Sequence, residues 1–134
     1  MTHYILKNSL WFSIIWTLVI FILCCTPGKY IPTSNWLELL SFDKFVHASI
    51  FFVLCTLWFS VIISKKKINS KYIGAILIGC VGYGGLLEIM QATIFSQRSG
   101  DWLDFIANSF GCLLALLIFW KKKLFQIKDN NLIL

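Results

Sequence analysis

A chain of 134 residues that is 58% hydrophobic and only 13% charged cannot hide its apolar side chains in a water-soluble core of its own. Its mean hydropathy of +0.78 points to lipid as the solvent, and its length allows one domain, residues 1–134. The net charge of +6 comes largely from lysines that abut the apolar blocks, so it reads as an orientation signal and excludes nucleic acid as the expected partner.

The apolar residues fall into four blocks: Ser9 to Cys25, Phe45 to Ile63, Tyr72 to Thr93 and Leu103 to Trp120. Each approaches the roughly 20 residues needed to cross a hydrocarbon layer about 30 Å thick. Backbone polar groups in lipid must be satisfied within their own segment, so each block is expected to be a helix. The fold class expected is therefore an all-α membrane protein with four transmembrane helices. The first block resembles a signal peptide, but no small-x-small cleavage pattern follows it, and it is read as an uncleaved span. Thr26 to Lys44, with Pro27 and Pro32, links the first two blocks. The five cysteines form no CxxC pair and read as small apolar residues filling helix contacts, with no cofactor or metal expected.

Basic residues set the expected orientation. With the N-terminus in the cytoplasm, Lys7, Lys65, Lys66, Lys67, Lys71, Lys121, Lys122, Lys123 and Lys128 lie inside, and only Lys29, Lys44 and Arg98 outside. That asymmetry predicts both termini inside.

On this topology every polar side chain suited to chemistry falls in the outer half of the membrane or just beyond it. Asp43 and His47 open the second span four residues apart on one face. Glu88 and Gln91 share a face near the end of the third, with Glu88 about 25 Å along the helix from Lys71. Arg98, Asp101 and Asp104 precede or open the fourth, and Asn108 lies one turn further in. A carboxylate at the centre of a membrane helix costs about 2.5–3.5 kcal/mol, which makes Glu88 the most informative of the set. Asp104 also suits the helix dipole, and Asp101 or Ser99 suits an N-cap. Lys44 reads as an interfacial snorkelling residue. The carboxylates Asp43, Asp101 and Asp104 lack a distinctive metal-binding spacing. Ala107, Gly111 and Ala115 recur every four residues on the fourth span, and the third is rich in glycine, so these two spans are expected to form a tight hairpin.

Taken in order, Asp43-Lys44-Phe45-Val46-His47, Glu88-x-x-Gln91, Arg98, Asp104 and Asn108-Ser109-Phe110-Gly111 resemble the VanZ-like family of small integral membrane proteins, over roughly Asp43 to Ala115. Two departures are visible: Phe51 stands where the family often has tyrosine, and Ser96-Gln97 where it often has proline and glycine. The resemblance implies a bacterial cell-membrane setting, a link to the envelope and to glycopeptide tolerance (the founding member is associated with teicoplanin resistance), and a single site built from His47, Glu88, Gln91, Arg98, Asp104 and Asn108.

Three functions stay open on these residues. One is a module that binds the headgroup of a membrane lipid or lipid-linked envelope precursor through Asp43, Gln91, Asp101, Asp104 and Asn108. Another is an enzyme acting on such a headgroup, with His47 or Glu88 as general base and Arg98 steadying negative charge, although GxSxG, HExxH and CxxC are all absent from the chain. The third is a small transporter, which a four-helix chain would achieve only as an oligomer.

Overall fold

A computed structural model describes residues 7–25, 42–94 and 100–131, with side chains over 7–24, 43–94 and 100–121. The link carrying Pro27 and Pro32, and the loop holding Ser96, Gln97, Arg98 and Ser99, lie outside the described residues. What is described is all-helical: α1 (Ser9–Cys25), α2 (Phe42–Ser64), α3 (Ser70–Thr93) and α4 (Trp102–Asn131). Three stretches, Asp43–Ser64, Ser70–Thr93 and Trp102–Lys121, are long and apolar enough to cross a membrane. Helix α1 is apolar throughout, but its 17 residues reach only about 25 Å.

Helix α1 matches its predicted block, whereas α2, α3 and α4 overrun theirs because a helix continues until its backbone is capped, not until its hydropathy falls. Helix α2 ends in a Schellman-type turn: Lys66 adopts φ 53°, Lys66 N–H donates to the Ile63 carbonyl at 3.0 Å, and Lys67 N–H donates to the Ile62 carbonyl at 2.9 Å. Asn69 then caps α3 by accepting from Lys71 N–H at 3.0 Å. Helix α4 meets no such stop at Trp120 and runs on through the lysine cluster to Asn131.

Helices α2 and α4 run parallel and form the main contact of the bundle. Their side-chain partners keep a near-constant register, with Lys44 on Asp101, His47 on Asn108 and the Cys112 thiol on the Phe51 carbonyl, pairs separated by 57 to 61 residues. Further along, Phe59 stacks on Phe119 with ring centroids 4.8 Å apart. Gly111 permits this approach: a Cβ there would collide with the Ala48 carbonyl and come within 3.0 Å of Phe52 N. The small-residue face of α4 is thus spent on α2, whereas the expected hairpin would turn it to α3. Helix α3 meets α4 differently, through Gly84 against Asn108 and Gly85 against the Phe105 ring. Gly74, Gly79 and Gly82 of α3 have open space where a side chain would project.

Around an apolar core of residues such as Leu54, Phe59 and Leu87, the bundle buries several polar groups and exposes many large apolar ones. Ser9, Ser13, Glu88, Gln91, Asp104 and Asn108 are buried, while Trp11, Ile78, Ile89, Trp102 and Leu117 are exposed. Hydroxyls of Ser13, Thr17, Ser60, Thr93 and Ser109 fold back onto carbonyls three or four residues earlier, or cross-link neighbours, as a medium without water demands. Helix α1 is held by polar ties as well as packing: Trp16 Nε1 donates to the Ile50 carbonyl (3.2 Å) and the Tyr83 hydroxyl to the Thr17 carbonyl (2.8 Å). Cys55, Cys80 and Cys112 come together from three helices as unpaired, buried thiols in the core.

Gly111→Val is expected to cost about 1–3 kcal/mol or to abolish the folded yield, because the backbones of α2 and α4 must separate. Gly79→Ala is expected to be neutral or stabilising by up to about 1 kcal/mol. Thermal unfolding of the two variants in one detergent makes the comparison, and equal midpoints would contradict the α2–α4 contact.

Candidate functional site

At the end of the bundle where α2 and α4 begin, the Lys44 ammonium is the hub of a charged cluster. It donates to Asp101 Oδ2 at 2.8 Å, to Asp104 Oδ1, and to Asp43 Oδ2 at 3.4 Å. An ammonium has three donors, and all three are taken. The sequence reading of Lys44 as a snorkelling residue is corrected here. A single solvated lysine would turn outward, but three carboxylates from two parallel helices hold this one in. The signal available in the sequence was the coincidence of one basic residue with three acids at the same predicted depth.

One turn deeper, His47 Nδ1 and Asn108 Oδ1 form a hydrogen bond at 3.1 Å. Nε2 faces Asp43 Oδ1 and Asp104 Oδ2, each at 3.7 Å. Asn108 is 1% exposed, so its amide is a buried anchor for the imidazole.

Asp101 ties three elements together. Its Oδ1 accepts Leu103 N–H at 2.9 Å and its carbonyl accepts Asp104 N–H at 3.0 Å, which makes it the N-cap of α4. Its own N–H donates to Glu88 Oε2 at 3.1 Å. Lys44, with help from the Leu103 N–H, holds the Asp101 carboxyl below the usual carboxylate range. Gly100 makes the Glu88 contact possible, since a Cβ there would lie 2.5 Å from the Glu88 carbonyl oxygen and 3.0 Å from Ala92 Cβ. The chain therefore enters α4 pressed against α3.

The residues singled out in the sequence are brought together to different degrees. Asp43, His47, Asp101, Asp104 and Asn108 form one cluster, and Glu88 joins it through the Asp101 backbone. Gln91 is buried on the same face as Glu88, one turn on, and makes no hydrogen bond to the cluster among the described residues. Arg98 lies outside the described residues. Phe51, at the position where a hydroxyl is missing, packs its ring edge towards Gly84 and lies 6.2 Å from the Tyr83 ring. The Tyr83 hydroxyl is committed to Thr17 and does not substitute for it.

Asp43, His47 and Asp104 could together hold a metal ion, their ligand atoms lying within 4.8 Å of one another. This differs from the all-carboxylate set weighed in the sequence, with His47 in place of Asp101. The Lys44 ammonium already lies on two of these three residues and is a built-in competitor for any cation.

These features define a small helical protein with membrane-length helices and a polar cluster under one end. No family model matches the chain, and no solved structure matches it. It is similar to Uncharacterized protein C11E3.10 of Schizosaccharomyces pombe, with 29% identity over 115 residues covering 83% of this chain and 68% of that protein.

Lys44→Met is expected to destabilise the detergent-solubilised protein by about 1–3 kcal/mol, since the nearly buried Asp104 carboxylate loses its counter-charge, and Lys44→Arg to recover most of that loss. The depressed Asp101 value adds a pH signature. Its stabilisation is fully present above the unfolded aspartate value of about 3.9 and is lost as pH falls through the lower folded-state value. Thermal melts from neutral pH down to about pH 3 are expected to show that acid-side loss shrinking in Lys44→Met. An unchanged acid limb would remove Lys44 as organiser.

Proposed function

We propose that this chain is a VanZ-like multi-pass membrane protein whose outward-facing polar cluster binds the headgroup of a membrane lipid or lipid-linked envelope precursor. In this reading all four helices span the membrane of a bacterial cell, with both termini cytoplasmic, as the lysine asymmetry favours. The observation that carries it is the position of the cluster. Hydrogen-bonding groups converge where α2 and α4 begin, at one end of helices whose lateral faces expose mainly large apolar side chains, so a ligand that meets them from the membrane must be polar at one end and apolar at the other. The relative in a yeast favours common membrane lipids over bacterial envelope precursors, and tolerance of glycopeptides would then be a consequence of lipid binding.

A second reading is supported by the imidazole alone. His47 is oriented by Asn108 through Nδ1 and flanked by two carboxylates at Nε2, the arrangement a general base requires. On that reading the headgroup is chemically modified, with Glu88 and Arg98 as further candidates. Transport ranks third, because among the described residues the buried acids and amides lie at the cluster end, and the other end buries only the Ser9 and Ser13 hydroxyls.

Mass spectrometry of lipids from cells making wild type, Glu88→Gln or His47→Ala at matched levels separates these readings. Binding predicts unchanged total lipids and a species that copurifies with wild type and is depleted several-fold in both variants. A lipid converted only in wild-type cells would establish the enzyme instead. No difference in either fraction would sink both.

A further inference from the structure

Next to the charged cluster, but lined by none of Asp43, Lys44 and His47, a groove of about 320 Å³ runs between α3 and α4. Its walls are Gly85, Ile89, Ala92, Trp102 and Phe105, with Glu88 as the buried acid against them and Asp101 of the charged cluster at the edge. Trp102 and Phe105 meet edge to face at 6.3 Å, and the bare Gly85 lies under the Phe105 ring. Ile89 and Trp102 are 61% and 80% exposed on helices of membrane-spanning length, so the groove opens sideways to where acyl chains would lie. Its volume is within the roughly 300–1,000 Å³ of small-molecule sites.

The polar end of the groove has a definite sign. Glu88 is 8% exposed, and its Oε2 accepts from Asp101 N–H. Its Oε1 has no hydrogen-bond partner among the described residues. The described ammonium at this end, Lys44, has spent its three donors on Asp101, Asp104 and Asp43. Among the described residues this end therefore sets four carboxylates, Asp43, Glu88, Asp101 and Asp104, against one ammonium that is already engaged. Among the described residues a phosphate would meet these acids, the engaged Lys44 ammonium and the His47 imidazole, which itself faces Asp43 and Asp104. A group that brings its own N–H donors and positive charge fits.

We infer that the groove takes an acyl chain of a lipid whose headgroup carries a primary ammonium, and that this ammonium donates to Glu88 Oε1. The assignment rests on the lipid-binding reading above and narrows it to aminolipids. A choline headgroup has the positive charge but no N–H, and a glycerol phosphate headgroup has no positive charge and is anionic overall, so both are discriminated against.

The test uses the full chain in detergent with three lipids of identical brominated acyl chains, bearing ethanolamine, choline or glycerol phosphate headgroups. Bromine quenches nearby tryptophan, and the part owed to Trp102 is the difference between wild type and Trp102→Phe. The ethanolamine lipid is expected to quench saturably and about tenfold more tightly than the other two, the factor one charge-assisted hydrogen bond supplies. Glu88→Gln keeps an acceptor for Asp101 N–H, and so the fold, and is expected to erase that preference. Ala92→Trp fills the groove from an exposed position while leaving the Glu88 carboxylate in the chain, and is expected to abolish Trp102-dependent quenching.

Equal binding of all three headgroups would overturn the aminolipid assignment while leaving lipid binding intact. Absence of Trp102 quenching, with a lipid still copurifying, would overturn the groove and leave the headgroup cluster as the site. Cross-linking of Ala92→Cys between two copies without lipid quenching would give the groove to a second copy and likewise overturn it. If no lipid copurifies or quenches, the parent reading falls together with this one.

Discussion

The organisation of this protein depends on one ammonium shared by three carboxylates. Four charged side chains at the start of two apolar helices would each be expensive next to lipid, and separately they would pull the helix ends towards water. Lys44 removes that conflict by joining Asp43 on its own helix to Asp101 and Asp104 on α4. The pairing also sets the register of the bundle, because with Lys44 on Asp101 the next polar pair along the same interface is His47 with Asn108. Beyond these pairs the interface is apolar and glycine-mediated, and it needs no further polar contact to stay in step.

From that pairing the third helix acquires its role. Two parallel helices cannot be joined by a short turn, so the chain must cross back between them, and α3 is that return. It closes against α4 at the cluster end, where Gly100 lets the backbone pass beneath Glu88 and presents the Asp101 N–H to its carboxylate. Glu88 is thereby built into the wall of a groove instead of the centre of the charged cluster. The same acid is linked to the cluster by backbone and available to the membrane by side chain, a division of duties that matches a ligand with a polar head and an apolar tail.

Much of this was legible before any tertiary contact was known. Membrane-length apolar blocks, their helical state and the confinement of acids, amides and imidazole to one end all follow from hydropathy and spacing, since lipid leaves a backbone few choices. The depth of Asp43, His47, Asp104 and Asn108 was readable for the same reason: each residue rises 1.5 Å along a helix wherever that helix packs. The pairing of helices was not readable. Small residues at four-residue spacing announce that Gly111 lies at a close contact, but the announcement carries no address, and the glycines of α3 made the wrong partner look equally good.

The division is therefore a physical one. Composition and one-dimensional spacing by themselves determined that this chain carries helices long and apolar enough to cross a membrane, and which end collects its acids, amides and imidazole, because those properties are set by each segment's own free energy of burial. Only the tertiary structure decided that α4 seats on α2, that Lys44 turns inward, and that Glu88 faces a groove. Each of these depends on which side chains from distant segments share a few ångströms, and a sequence specifies that sharing only through the sum of all its packing alternatives.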